Sequence, residues 1–151
     1  MTRASDVANI LKQPFTNTLG TSNYRAGTNA GDSITSGGNY NVTIGDEAGT
    51  AITTGDNNTA VGKSSMSAMI DGATNTAVGR SALSDDTKGS KSTAVGYQAL
   101  SSQNFTSATD SHNTAVGYNA GSLVSTGVQG VYIGSLAGDA DTTGGKNTYV
   151  G

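Results

Sequence analysis

The chain has 151 residues, a formal net charge of -3, no cysteine, no tryptophan and a single proline. Gly, Thr, Ser and Asn (22, 22, 18 and 13 residues) make up about half of it, while Leu, Ile, Val and Phe supply 16%, below the roughly 20% of chains with a conventional core. These figures exclude a disulfide framework, a thiolate metal site and a cysteine nucleophile; with 11 acidic against 8 basic residues and no basic cluster, nucleic acid is not an expected partner.

Disorder by composition also needs high charge, and only 13% of the residues are charged, so the few apolar residues must be placed economically. At the N-terminus, Asp6 to Lys12 puts Val7, Ile10 and Leu11 on one helical face, with Ser5 or Asp6 as cap and Pro14 as stop. So short a helix is marginal alone, and a frayed terminus is the competing reading. No apolar block fit for a secretory signal follows Met1, and no run approaches the roughly 18 residues that span a bilayer, so no membrane insertion is expected.

Beyond residue 23 the chain repeats itself. Asn58-Thr59-Ala60-Val61-Gly62 recurs as Asn75 to Gly79, Ser92 to Gly96 and Asn113 to Gly117, with looser copies at Asn41 to Gly45, Gly130 to Gly134 and Asn147 to Gly151, and a degenerate one at Asn23 to Gly27. The closing glycines are spaced 18, 17, 17, 17, 21, 17 and 17 residues apart. Three residues after each comes a small residue: Ala30, Ala48, Ser65, Ala82, Ala99, Ala120, Ala137. Ten residues after it comes a second glycine, at Gly37, Gly55, Gly72, Gly89, Gly127 and Gly144. The 21-residue unit lacks that glycine and carries its extra residues within Ser101 to Ser111, which predicts a loop bulging from a regular coil.

Thr-Ala-Val alternates and is β-prone, while turn residues gather between copies, so each unit predicts two short strands with a bend between them at Gly45, Gly62, Gly79, Gly96, Gly117 or Gly134. A bend glycine there implies positive φ or a backbone approach too close for a Cβ. The residue before it, Ile44, Val61, Val78, Val95, Val116, Ile133 or Val150, is expected to stack from coil to coil as the core. Helical periodicity is absent, and so is the every-third-residue glycine of collagen. The fold class expected is all-β: a parallel β-solenoid or β-roll of about 17-residue coils, about 4.8 Å apart. The apolar surface of one unit is small against the cost of ordering it, so further burial between chains is expected, with the small residues after the bend letting copies approach a common axis.

The runs Asn113 to Ala120 and Val131 to Ala137 resemble the head repeats of trimeric autotransporter adhesins, and Ser92 to Leu100 is similar to repeats of bacteriophage tail-fibre proteins. The opening Met1 to Ala8 resembles the start of marine phage fibre proteins. The resemblance covers Tyr24 to Gly151 and implies a homotrimeric β-roll shaft. The adhesins carry an export signal and have shorter units, so the phage reading is preferred: residues 1–23 anchor to other virion tail proteins through Val7, Ile10, Leu11 and Phe15, and residues 24–151 form the shaft. The chain stops on a repeat glycine without a cap, so the host-surface receptor is expected to be met by a more distal region. Localisation is then the virion tail. The alternative is a bacterial trimeric surface adhesin head, at the cell surface, that binds host matrix or glycan.

Catalytic chemistry finds little support, so no enzyme and no cofactor are expected. His112, the one histidine, lies beside Ser111 and Asp110, but neighbours in an extended loop do not converge into a triad, and a solvent-facing histidine is the better reading. Asp85-Asp86 and the pair Asp139 and Asp141 are read as solvated turn carboxylates instead of a glycosidase couple. Asp139-x-Asp141-x-Thr143-Gly144 opens like an EF-hand loop but has Val150 where the last ligand belongs, so no metal is expected. Tyr97, Tyr118, Tyr132 and Tyr149 sit near the bend glycines and are candidates for an exposed, sugar-binding ladder, against plain coil-to-coil stacking.

Overall fold

The computed structural model describes residues 20–151. One short strand is laid down per coil: β1 (Tyr24–Ala26), β2 (Val42–Ile44), β3 (Thr59–Val61), β4 (Thr76–Val78), β6 (Thr93–Val95), β8 (Thr114–Val116), β9 (Val131–Ile133) and β10 (Thr148–Val150). They form one parallel eight-stranded sheet in that order. Two further strands, β5 (Gly89–Ser90) and β7 (Thr109–Asp110), pair with each other. The chain is thus an all-β parallel solenoid, with no helix among the described residues.

The register is set by the repeat: Thr59, Ala60 and Val61 align with Thr76, Ala77 and Val78, and these with Thr93, Ala94 and Val95. The 21-residue unit keeps phase, since Thr93 to Val95 pair with Thr114 to Val116. Coil-to-coil bonding already includes Thr21, whose N–H donates to Asn39 Oδ1 at 2.8 Å.

The second strand expected after each bend glycine does not form. Two residues past the bend, Glu47, Ser64, Ser81, Gln98, Asn119 and Leu136 all have φ between 53° and 63°, a left-handed geometry that ends a strand. Ladder bonds hold this costly corner, as where Ser81 N–H donates to Lys63 C=O at 2.9 Å. The bend glycines satisfy both readings of the sequence. Gly62 has φ +125°, and a Cβ there would stand 2.7 Å from the Gly79 backbone.

The core is the main correction to the sequence reading. Ile44, Val61, Val78, Val95, Val116, Ile133 and Val150 are vertical neighbours, but they lie outside the coil. The buried strand residue is the preceding one: Thr43, Ala60, Ala77, Ala94, Ala115 and Tyr132 are fully buried. Alternation along a strand sends neighbours to opposite faces, so only one of the two columns can be internal. The small residues after the bend are internal too. Ala48, Ser65, Ala82, Ala99 and Ala120 are fully buried within their own coil and are not available to bring copies together.

Volume is traded across the interior. Where the strand contributes Ala60, Ala77 or Ala94, the opposite wall contributes Met66, Leu83 or Leu100; where it contributes Thr43 or Tyr132, the same wall position is Gly49 or Gly138. A Cβ on Gly138 would run into the Tyr132 ring, and one on Gly49 would come within 2.7 Å of Thr43 Cγ2. Ala115 is paired with Gly121 because Leu100 below and Tyr132 above already fill that level, each 3.1 Å from where its Cβ would be.

An asparagine ladder runs up the inside. Asn58 N–H donates to Asn41 Oδ1 at 2.9 Å, Asn75 N–H to Asn58 Oδ1 at 3.0 Å and Ser92 N–H to Asn75 Oδ1 at 2.9 Å. Each amide nitrogen turns to the glycine carbonyl at the end of its own coil's return, Asn41 to Gly55, Asn58 to Gly72 and Asn75 to Gly89, all at 2.8 Å. In the first coil the equivalent acceptor is Gly38, bound by Asn23, and not the Gly37 of the sequence pattern, because the extra residue of the 18-residue unit falls before it.

Candidate self-association face and exposed side-chain columns

In each strand from β2 to β10 of the eight-stranded sheet, the first and third side chains face away from the coil interior. The third column is apolar throughout, and the first is Thr or Val; neither carries a charge. Exposure reaches 37% at Ile44, 36% at Val78, 38% at Val116 and 75% at Val150, with Val61, Val95 and Ile133 half-buried. Every rung repeats the same chemistry at the spacing of the sheet. A continuous uncharged strip of β-branched side chains is what a soluble protein seldom leaves bare.

The tyrosines separate into two stacks instead of one ladder. Tyr97 and Tyr118 follow bend glycines, point outward and stack at 5.3 Å between ring centroids with 10° between planes; the Arg80 guanidinium lies 5.7 Å from the Tyr97 centroid on the preceding rung. Tyr132 and Tyr149 occupy strand centres, and their stack at 5.7 Å is internal at Tyr132. Tyr118 is 54% exposed at one end of the first stack, and Tyr149 is 41% exposed at one end of the second.

Asp86 is fully buried, contrary to its reading as a solvated carboxylate. Its Oδ1 accepts from the N–H groups of Gly89 at 2.9 Å and Phe105 at 3.1 Å, and its Oδ2 from Gln103 Nε2 at 2.6 Å. Gln103 Oε1 accepts from Asn113 Nδ2 at 2.8 Å, and Ser92 and Ser111 hydroxyls meet at 2.6 Å. Gln103, Phe105 and Ser111 come from the insertion, so that segment does not simply bulge: it turns inward, and its β7 extends a ladder on β5. It fills a place where Ser92 stands in the asparagine column and cannot span the coil. Asn104, residues 106–108 and Asp110 of the segment stay exposed. His112 is exposed, as expected of a loop histidine.

Of the other acidic pair, Asp139 is exposed while Asp141 accepts from Tyr132 Oη at 2.9 Å and Asn147 Nδ2 at 2.8 Å. Burial pushes the Asp141 carboxyl up, but the bonds from Asn147, Tyr132 and the Gly144 and Thr142 N–H groups outweigh it and leave the carboxyl below its usual range. Burial first, and the Asp141 bond second, push the Tyr132 phenol far above its ordinary value. At the surface, the hydrogen bond from Lys91 Nζ to Asp110 at 2.6 Å lowers the Asp110 carboxyl. Among the described residues no group of three or more His, Cys, Asp or Glu is placed to hold a metal ion, and no helix is long and apolar enough to cross a membrane.

The proposed docking residues Val7, Ile10, Leu11 and Phe15 lie outside the described residues. What sequence reasoning missed was the sidedness of Thr-Ala-Val and the Asp86 to Gln103 node; the buried Gln103 has no signal in the repeat, because it sits in the one unit that departs from it. No protein family, curated protein or solved structure matches the chain.

Proposed function

We propose that the chain is a non-enzymatic structural component of a bacteriophage tail fibre, a homotrimer whose residues 1–23 attach to other tail proteins of the virion and whose solenoid projects toward a host-surface receptor. The observation that carries this reading is the uninterrupted apolar column from Ile44 to Val150, one β-branched side chain per rung on the outside of the solenoid. Three copies sharing one axis bury identical rungs against each other, and closed rotational symmetry leaves none of the columns bare. Parallel strands across the axis then give a slender rod resistant to bending, which suits a spacer between particle and cell. The interior is filled by apolar side chains and a hydrogen-bonded asparagine column, which favours a mechanical role over a chemical one.

Sedimentation equilibrium of the full chain tests the assembly: the expected species is a trimer of 15.0 kDa chains, converted to folded monomer by Val78→Lys with Val116→Lys. A wild-type monomer at micromolar concentration overturns it. Deleting residues 1–14 leaves the trimer intact and abolishes attachment to particles; normal incorporation rejects the anchor. Imaging of virions labelled on this chain distinguishes a tail location from the second reading, a bacterial trimeric adhesin head. That reading is favoured by one feature only, the outward Tyr97 and Tyr118 pair.

A further inference from the structure

The column that follows the bend glycines runs Lys63, Arg80, Tyr97, Tyr118, Ser135, one residue per rung. Backbone bonds keep the rungs aligned, with Gln98 N–H on Arg80 C=O at 3.0 Å, Asn119 N–H on Tyr97 C=O at 2.9 Å and Leu136 N–H on Tyr118 C=O at 2.8 Å. The two rings are nearly parallel and one rung apart, so each covers a face of the other. Arg80 covers the remaining face of Tyr97. On the next rung beyond Tyr118 stands Ser135, whose side chain is too short to cover a ring, and Tyr118 keeps 54% of its surface exposed.

The geometry points to a single-ended carbohydrate platform at the outer face of Tyr118, with the Ser135 hydroxyl beside it. A pyranose presents a face of C–H groups to an aromatic ring and hydroxyls at its rim, and a ledge of one ring with a hydroxyl at its edge matches both. The stack is rigid before any ligand arrives, because Tyr97 and Arg80 back the ring from below. That saves the ordering cost which weakens binding to a free aromatic side chain. The rungs of this column beyond Arg80 are Tyr97, Tyr118 and Ser135, none of them charged, so the open end offers no ion partner and suits a neutral sugar.

The test uses the full chain and two probes, methyl β-D-galactopyranoside and cellohexaose, followed by saturation-transfer NMR and by tyrosine fluorescence, since the protein has no tryptophan. At least one probe should bind saturably. Tyr118→Ala should weaken it about tenfold or more, whereas Tyr118→Phe, which keeps the ring, stays within about threefold. Tyr149→Ala, in the other stack, should leave binding unchanged. Circular dichroism verifies that each variant is folded. No saturable binding of either sugar, or equal binding by Tyr118→Ala, overturns the assignment. Loss on Tyr149→Ala with retention on Tyr118→Ala would move the site to the other stack and equally overturn it.

Discussion

Gln103 Nε2 donates to Asp86 Oδ2 at 2.6 Å inside the solenoid, across 17 residues of sequence and one rung of the ladder. Both side chains are fully buried, and Asp86 also holds the N–H groups of Gly89 and Phe105. The contact joins the insertion to the coil beneath it, and it makes the irregular unit as closed as its neighbours.

Removing the donor leaves a buried carboxylate oxygen without a partner. Gln103→Leu should cost about 2–4 kcal/mol in urea unfolding, near the upper range for an orphaned buried group. Asn104→Ala, one residue along and exposed, should cost less than about 0.5 kcal/mol. Equal effects would mean that the node does not hold the insertion in place.

The asparagine column bonds both within a coil and between coils. Asn58 Oδ1 accepts from Asn75 N–H at 3.0 Å while its Nδ2 donates to Gly72 C=O at 2.8 Å, both out of water. Asn58→Leu orphans a buried N–H and a buried carbonyl, and about 2–4 kcal/mol should be lost. The two amides also make a direct readout: Asn75 N–H should exchange with deuterium faster in the variant than in the wild type.

Gly79 combines φ +136° with a Cβ position that would collide with the Gly96 carbonyl of the next coil. Gly79→Ala should destabilise by about 3 kcal/mol or more, because the backbone strain and the clash add. Gly145→Ala, where φ is not left-handed and the nearest atom is 3.1 Å away, should cost about 1 kcal/mol or less. The comparison separates a conformational requirement from a simple loss of glycine.

The last coil carries a pH signature at both ends of the scale. Asp141 is held below its ordinary value of 3.8, so its contribution to stability is complete above that value and is lost as pH falls through the lowered folded value. The Tyr132 phenol is pushed above its ordinary 10.0, so its contribution is complete below pH 10.0 and is lost as pH rises beyond it. Hydrogen exchange of residues 131–147 should therefore quicken relative to the β3 to β4 region under strong acid and under strong base. Asp141→Asn should flatten the acid limb and leave the region around Asn58 untouched.

The repeat in the amino-acid sequence already contains the solenoid: a bend glycine every 17 residues aligns Thr59, Thr76 and Thr93 in one column and Val61, Val78 and Val95 in another, since an equal interval closes each coil at the same point. The bend glycines themselves are legible for the same reason, as a position where only hydrogen fits. Which of Ala60 and Val61 faces inward is not legible, because a three-residue strand with two adjacent apolar residues reads equally well either way. The opposite wall decides it: Met66 and Met69 fill the coil and leave room across from them for a methyl group and not for an isopropyl group. Their inward aim depends on a left-handed backbone at Met66, φ 49°, which no residue preference announces and which the stacked coils impose. The Asp86 to Gln103 bond belongs to the same class, since its partners become neighbours only when the coil between them closes. Period and register were therefore properties of the sequence, and sidedness and polar closure were properties of packing in three dimensions.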